Sequence, residues 1–344
     1  MSIKQIDAPK LQRWVRTLIR KLRVVGIQAR GDRFIFAPLA KAEDLRLDYD
    51  VSVVAPTRLF QPMCETLVRF TRGTGAYESV IPDEPFILFG VHPYDMVALN
   101  QMDHIFASDR SDIHYLSRRR NATIIACDIQ TPSENIFASC MGTATVQDGF
   151  DILITKVGDK YVVDSRSDKG EALMADIPRA PSPNKAALAR REQLWDDAGR
   201  LFAQNKLKCR PQDLPGILGS NGSYEHPIWE ERAKRCFSCG QCTMVCPTCY
   251  CFDVADQLSW DMDAGERLRS LDSCQLTDFA IVAGGHNFRK DREARYRHRF
   301  YRKGKYIWDR FGYIACIGCG RCITACPAEI ATIVEIYTTL AEDK

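Results

Sequence analysis

Two short runs of cysteine carry the clearest chemical signal in this sequence. Each run reads Cys-x2-Cys-x2-Cys-x3-Cys-Pro: motif one has Cys236, Cys239, Cys242 and Cys246, and motif two has Cys316, Cys319, Cys322 and Cys326. Three cysteines at intervals of three can wrap one iron–sulfur cube, whereas the fourth binds the other cube in two-cluster proteins. The spacing therefore predicts two [4Fe–4S] clusters: cluster one on Cys236, Cys239, Cys242 and Cys326, and cluster two on Cys316, Cys319, Cys322 and Cys246.

Zinc is the main alternative for so many cysteines. Structural zinc sites usually pair two Cys-x2-Cys knuckles, and neither motif has that form. Pro247 and Pro327 follow the fourth cysteines, where they remove a backbone donor and redirect the chain. Gly240 and Gly320 follow the second cysteines, where glycine permits either close approach of the backbone to a cube or a simple turn. We interpret the eight cysteines as iron–sulfur ligands.

Composition narrows the class of protein. The chain has 344 residues, 45% hydrophobic and 26% charged, which is typical of a globular protein of two or three domains. The net charge of +3 gives no overall basic excess for nucleic acid. Residues 1–21 lack the apolar core of a secretory signal, and no run approaches 18 apolar residues. Fifteen cysteines in such a chain favour a reducing compartment, so we predict a cytoplasmic protein without a membrane span.

The first half of the chain predicts an α/β domain over residues 1–180. Segments 24–27 and 33–37 read as a hairpin, 51–55 as another strand, and 151–156 with 161–164 as a second hairpin. Between them, 85–91, 95–106 and 122–127 read as strand, helix and strand, a βαβ unit with parallel strands. Gly73-Thr-Gly75 follows a stretch that reads as helical, so it lacks the context of a dinucleotide loop.

The second half predicts a different architecture. Residues 181–225 read as a helix and linker, in which Asn184 caps a helix from Lys185 to about residue 202. Residues 226–344 predict an α-helical ferredoxin-like domain that binds both clusters. The segments 253–261, 265–272 and 288–302 look helical, which places each cysteine motif between helices.

The remaining cysteines and one histidine have open roles. Cys249, Cys251 and Cys274 match no ligand spacing, so they are either small thiols packed beside the clusters or a third metal or redox site. His286 could hydrogen-bond a cluster sulfur or serve as a structural histidine. Cys64 and Cys209 read as buried or incidental thiols.

A basic segment precedes motif two. Ten lysines and arginines lie between Arg289 and Arg310, interleaved with aromatic residues. Such a pattern is found in nucleic-acid patches and in solvated helix faces. Because the rest of the chain is not basic, we favour residues that offset the negative charge of the clusters and dock a partner subunit; nucleic acid is the less favoured reading.

Several stretches resemble a known family: His-Pro-Ile-Trp at 226–229, Cys-Pro-Thr-Cys-Tyr-Cys at 246–251, Gly-Glu-Arg at 265–267, Asp-Ser-Cys at 272–274 and Ala-Gly-Gly-His-Asn-Phe-Arg at 283–289, with weaker matches at 59–70, 90–95 and 139–142. They resemble the β subunit of soluble NAD(P)-linked [NiFe] sulfhydrogenases, and the A subunit of anaerobic sulfite reductase is similar. The resemblance implies a non-catalytic subunit that carries electrons between a flavin subunit, which binds NAD(P), and a catalytic hydrogenase of large and small subunits.

One departure from that family changes the cluster count. Its members commonly have cysteine where this chain has Tyr94, and Cys-Phe-Cys where it has Ile136-Phe137-Ala138. With Cys127, those positions follow the carboxyl ends of the two βαβ strands, where α/β sheets place ligands. Here only Cys127 and nearby Cys140 remain, so we predict that a further cluster is absent and that the chain holds about eight irons rather than twelve.

Other functions stay open at this point. The catalytic partner that exchanges electrons with this subunit could be a sirohaem sulfite reductase or a heterodisulfide-type enzyme instead of a hydrogenase. An enzyme whose α/β domain binds a substrate or flavin is a different class, and so is an iron–sulfur regulatory module that uses the basic segment on nucleic acid. The sequence has no P-loop, Gly-x-Gly-x-x-Gly or Gly-x-Ser-x-Gly motif, which gives no support to a nucleotide or acyl site.

Overall fold

The computed structural model describes residues 1–343 and contains two sheets and two groups of helices. The strands are β1 (Ile3–Asp7), β2 (Arg23–Arg30), β3 (Arg33–Pro38), β4 (Cys64–Thr71), β5 (Ala76–Ser79), β6 (Phe86–Val91), β7 (Ala122–Cys127), β8 (Ile152–Val157), β9 (Lys160–Ser165), β10 (Phe252–Leu258) and β11 (Ala264–Leu271). The helices are α1 (Ala8–Lys21), α2 (Pro93–Ala107), α3 (Ile113–Asn121), α4 (Ala138–Met141), α5 (Asp168–Met174), α6 (Lys185–Leu201), α7 (Leu214–Leu218), α8 (Ile228–Arg235), α9 (Gln241–Met244), α10 (Arg292–Tyr301), α11 (Ile307–Phe311), α12 (Arg321–Thr324) and α13 (Ile333–Glu342). Among these residues no helix combines the length and apolar character needed to cross a membrane.

The larger sheet forms the centre of the N-terminal part. Its strand order is β1-β9-β8-β7-β6-β2-β3, in which β2, β6, β7 and β8 are parallel and the outer strands pair antiparallel. Side chains alternate between the faces, so Ile87 and Phe89 pack with Trp14 of α1 while Leu88 packs with Leu99 of α2 on the opposite face. Helices thus cover both faces, as buried parallel strands require.

Several sequence predictions for this part are confirmed. The predicted βαβ unit is β6–α2–β7 with parallel pairing, and α3 lies in the same crossover. Both predicted hairpins form, as β2–β3 and β8–β9. The Asn184 side chain caps α6 by accepting a hydrogen bond from the Ala187 amide at 2.8 Å.

The predicted strand at 51–55 is wrong. This segment makes one isolated bridge, between Ser52 and Phe34, and does not join the sheet as a strand. The Ser52 hydroxyl donates to the Val54 carbonyl at 2.8 Å, and Pro56 then begins a short 3-10 turn. Its β-branched residues favour a strand, but propensity is overridden when the tertiary context supplies no ladder.

The predicted helices at 253–261 and 265–272 are also wrong. They are β10 and β11, which join β4 and β5 in an antiparallel sheet of order β10-β11-β4-β5. Arg269 of β11 donates to Glu65 of β4 at 2.7 and 2.8 Å, across 204 positions of sequence. Gly73-Thr-Gly75 is accordingly the turn between strands β4 and β5. Residues after 226 are therefore not wholly helical.

The C-terminal helices build a core of their own. Trp229 of α8, Phe300 of α10 and Tyr337 of α13 are fully buried there, together with Leu214 of α7. A π-helical turn, Arg302–Tyr306, joins α10 to α11 and places Lys303 in this core. Of the predicted 181–225 segment, α6 packs on the larger sheet, whereas α7 packs in the C-terminal core. The predicted helix at 288–302 is present as α10.

Candidate iron–sulfur site

The two cysteine motifs have the same backbone path. Each has a left-handed residue before its second cysteine, Ser238 (φ 53°) or Gly318 (φ 70°). Each has a left-handed glycine after that cysteine, Gly240 (φ 77°) or Gly320 (φ 79°), which begins the single-turn helix α9 or α12. Left-handed backbone is readily adopted by glycine and costs other residues energy. The repeated spacing thus encodes a repeated loop.

The first three cysteines of motif one meet the fourth cysteine of motif two. A small cavity is lined by four thiols, which we call group one: Cys236, Cys239, Cys242 and Cys326. In residues 1–343 no three His, Cys, Asp or Glu side chains are placed to hold one metal ion. Group one is the first of the two sets that the spacing predicts.

The other four predicted ligands also lie together. Group two consists of Cys316, Cys319, Cys322 and Cys246; Cys246 interacts electrostatically with each of the other three. Burial raises the pKa of Cys319 to about 12 and that of Cys316 above its usual value. A hydrogen bond from Cys249 and the nearby Lys303 charge hold the pKa of Cys246 well below its usual value, against the effect of burial. The structure brings together the eight predicted cysteines in the two predicted sets, and their role as ligands stays a prediction.

Buried cations lie against group two. Lys303 donates from Nζ to the Thr248 hydroxyl at 2.6 Å, and that hydroxyl donates to the Ala315 carbonyl at 2.7 Å. Although burial opposes its charge, the Cys246 and Cys249 thiols raise the pKa of Lys303. A buried ammonium is stable only beside compensating negative groups, which cluster thiolates supply.

Arg321 follows Gly320 in motif two and joins it to the α/β part. Its guanidinium donates to both carboxylate oxygens of Asp95 at 2.7 Å and to the Ser52 carbonyl at 2.8 Å. Burial lowers the pKa of Arg321, but Asp95 and Cys319 outweigh it, so the pKa lies well above its usual value. The bidentate pair fixes motif two against α2.

Arg58 ties the same part of the chain to the end of motif one. It donates to the carbonyls of Cys246 and Cys249, each at 2.9 Å. Sequence reasoning missed Arg58, Asp95 and Arg321, because arginine and aspartate are usually exposed and nothing local marks these as buried.

The basic segment is divided: Arg295, Arg299 and Lys303 are buried, whereas Lys290 and Arg292 are exposed.

The three further thiols lie beside the two groups. Cys249 and Cys274 are buried, and Cys251 opposes Asp272, whose amide donates to the Cys251 carbonyl at 2.9 Å. A hydrogen bond from Cys251 lowers the pKa of Cys274 to about 6. The packing of these thiols beside the two groups is observed, and a third metal or redox site stays a prediction. His286 lies exposed in a loop, with its ring against Phe288 at 4.7 Å.

The positions where the sequence resemblance implies cysteine in the family form one buried cluster. Tyr94, Ile136 and Ala138 pack together with Ile317 and Cys319 of motif two. The Tyr94 hydroxyl is hydrogen-bonded to His92 Nδ1 at 2.8 Å, and burial raises its pKa. Cys127 packs in the core of the larger sheet and Cys140 beside the C-terminal core, so these two thiols lie in different surroundings. Cys64 is exposed, and Cys209 is half-buried.

The structure accommodates the group that the spacing predicts. Two sets of four sulfurs supply the donor chemistry of [4Fe–4S] clusters, and the cavity of group one is also lined by Arg299, which has two buried donors without a protein acceptor. In group one, the fold places Cys326 and Arg299 beside cysteines of motif one that are distant from them in sequence.

Two comparisons show which known proteins the chain is similar to. Residues 235–330 match the family model of the 4Fe-4S dicluster domain, which spans both motifs. The chain is similar to sulfhydrogenase 2 subunit beta of Pyrococcus furiosus, with 32% identity over 309 residues, covering 90% of this chain and 89% of the relative.

Proposed function

This chain belongs to the family of sulfhydrogenase β subunits, and we propose that it is an electron-transfer subunit of a cytoplasmic hetero-oligomer. In this proposal it relays electrons through two [4Fe–4S] clusters between a flavin subunit that binds NAD(P) and the catalytic subunits of a [NiFe] hydrogenase. The observation that carries the proposal is the crossed grouping of eight cysteines within one dicluster domain. When bound, each cluster supplies a one-electron redox couple.

In this proposal the protein's residues bind the clusters, bury them and offset their negative charge. Four thiols of each group supply the ligands, and one cysteine of each motif belongs to the opposite group, so the two sites are built as a unit. Lys303 lies in the core beside group two and offsets part of the thiolate charge. No bond chemistry is assigned to this chain; its role is to position two redox centres and shape their surroundings.

The two groups differ in their access to a partner. Cys239 of group one is exposed, and so are the neighbouring apolar side chains Phe237 and Leu276. In group two, Cys316, Cys319 and Cys322 are buried. We therefore assign group one as the site nearest to a partner's redox centre, since electron exchange between subunits requires close approach there.

The proposal is tested in the native complex. A chromosomally tagged chain is purified anaerobically, and its partners are identified by mass spectrometry and by their flavin, nickel and haem content. We expect a flavin-bearing subunit and nickel-bearing subunits, and we expect NAD(P)H to reduce the iron–sulfur absorption. A sirohaem-bearing partner would indicate that the catalytic subunit is a sulfite reductase rather than a hydrogenase. Co-purified nucleic acid without flavin would contradict the electron-transfer function.

A matched pair of cysteine variants makes the test specific. Cys239 and Cys64 are both exposed, but only Cys239 lies in group one. In the complex, Cys239→Ser is expected to slow NAD(P)H-driven hydrogen evolution by at least about tenfold, which is about 1.4 kcal/mol in activation free energy. Cys64→Ser is expected to leave the rate unchanged. Equal rates in both variants would contradict the relay through group one.

A further inference from the structure

Arg299 is a buried cation with unused hydrogen-bond donors. It lies on α10 and is 2% exposed. Among residues 1–343 it alone has two buried guanidinium nitrogens, Nε and Nη1, that lack an acceptor in the protein. Buried donors of a charged group are costly to leave unpaired, so such donors in a folded protein indicate an acceptor that the side chains do not provide.

Arg299 lies near thiols of both cysteine groups. Arg299 lines the same cavity as Cys236, Cys239, Cys242 and Cys326, which is group one. Burial raises the pKa of the Cys322 thiol of group two, and the nearby Arg299 charge opposes that rise. Its strongest electrostatic partners, Cys242, Cys322 and Cys246, come from both groups. One guanidinium therefore reaches both predicted cluster sites.

Other buried arginines nearby have their own partners. Arg295, one turn earlier on α10, donates to the Gln275, Arg289 and Lys290 carbonyls and to the Ser238 hydroxyl. Arg321 is paired with Asp95. Within residues 1–343 Arg299 forms no ion pair with a carboxylate, and it packs instead against the Phe300 ring at 4.9 Å. Its positive charge is thus balanced mainly by the thiols.

We propose that Arg299 is a shared positioning residue that donates hydrogen bonds to sulfur atoms at both cluster sites and raises both reduction potentials. This rests on the proposed two-cluster function. Reduction adds a negative charge to a buried site, and a fixed cation in a medium of low dielectric constant stabilises that charge. Hydrogen bonds to sulfur act in the same direction. Because the same guanidinium faces both sites, it also offsets the repulsion between two reduced centres.

The test measures potentials in the full chain, reconstituted anaerobically with iron and sulfide. Redox titration followed by electron paramagnetic resonance is compared for the wild type, Arg299→Met, Arg299→Lys and Arg297→Met. Arg297 lies on the same helix but pairs with Glu293 and the Tyr224 ring. At the potential that half-reduces each wild-type cluster, we expect R299M to lower the reduced-to-oxidised ratio of both clusters about tenfold, which is about 59 mV for a one-electron couple.

The conservative variant guards against misfolding. Lysine keeps the charge but loses the planar fork of donors, so R299K is expected to lower the ratio about threefold, half of the 59 mV logarithmic step. R297M is expected to match the wild type. If R299M does not retain iron, R299K decides the question. Wild-type potentials in an R299 variant that binds about eight irons would overturn this inference, whereas a wild-type chain without iron would overturn the two-cluster function instead.

Discussion

The two cysteine motifs share a spacing and a backbone path but lie in different surroundings. Phe237, between the first two cysteines of motif one, is 68% exposed, whereas Ile317 at the equivalent position of motif two is 2% exposed. Motif two lies under the α/β part, where Asp95 pairs with Arg321. Motif one has Gln241 at the position of Arg321, and it is exposed.

This difference shows that the two motifs provide the same ligands but differ in how accessible they are to solvent and to a partner protein. The repeated loop provides equivalent thiols in both motifs, and its left-handed residues recur at equivalent positions. Contacts from the N-terminal part then cover one motif and leave the other open. We infer that the covered site is protected from solvent and that the open site exchanges electrons with a partner. Each prediction below alters one side of this comparison.

Breaking the ion pair above motif two is expected to have the largest effect. Asp95→Ala leaves the buried Arg321 charge without its carboxylate partner, which typically costs about 3–5 kcal/mol for a buried pair. The measurement is the free energy of anaerobic denaturant unfolding. The control is Glu230→Ala near motif one, whose pair with Lys234 is solvent-exposed and contributes less than about 1 kcal/mol. Equal losses in both variants would show that motif two is not anchored by this pair.

Adding one methyl group distinguishes the two loops. A Cβ at Gly318 would lie 2.7 Å from the Phe137 carbonyl oxygen and 2.8 Å from the Ala138 backbone. Together with the left-handed backbone, Gly318→Ala is expected to cost about 2–4 kcal/mol in unfolding free energy. The control is Ser238→Ala at the equivalent position of motif one. Serine already has a Cβ, so this change removes only a hydrogen bond from Arg295, which costs about 1 kcal/mol. A Gly318→Ala variant as stable as the wild type would contradict the close packing of motif two.

Iron release is expected to give the smallest difference. Because Cys239 of group one is exposed and Cys316, Cys319 and Cys322 of group two are buried, an iron chelator should remove iron from group one about tenfold faster, about 1.4 kcal/mol in barrier height. Anaerobic absorption kinetics should show two phases. Cys326→Ala is expected to remove the fast phase and Cys246→Ala the slow one. The reverse assignment would break the crossed grouping, and a single phase in the wild type would remove the difference in access.

What could be predicted from sequence was local or repeated. Short apolar runs predict the strands β6 and β7, and the cysteine spacing predicts the two groups of thiols that the structure brings together. Strand β11 was beyond local pattern, because its partner β4 lies about two hundred positions earlier, as the 204-residue separation of Glu65 and Arg269 shows. Strand β10 pairs with β11 and joins the sheet through it. The Asp95–Arg321 pair spans 226 positions and is equally invisible to spacing.

Arg299 was counted in the basic segment, but its burial could not be inferred. Lysine and arginine are usually exposed, so sequence alone cannot distinguish a buried cation from those on a solvated face. The positions that lack cysteine, Tyr94, Ile136 and Ala138, could be picked out by comparison with relatives. Only the fold shows that they pack against Cys319.

The iron content of the reconstituted chain tests the central claim most directly. Iron and acid-labile sulfide are measured per chain after anaerobic reconstitution and removal of unbound metal. Two [4Fe–4S] clusters predict about eight irons and about eight sulfides. About twelve irons would show a third cluster despite Tyr94, Ile136 and Ala138, and about four irons, or zinc without iron, would contradict the two-cluster account.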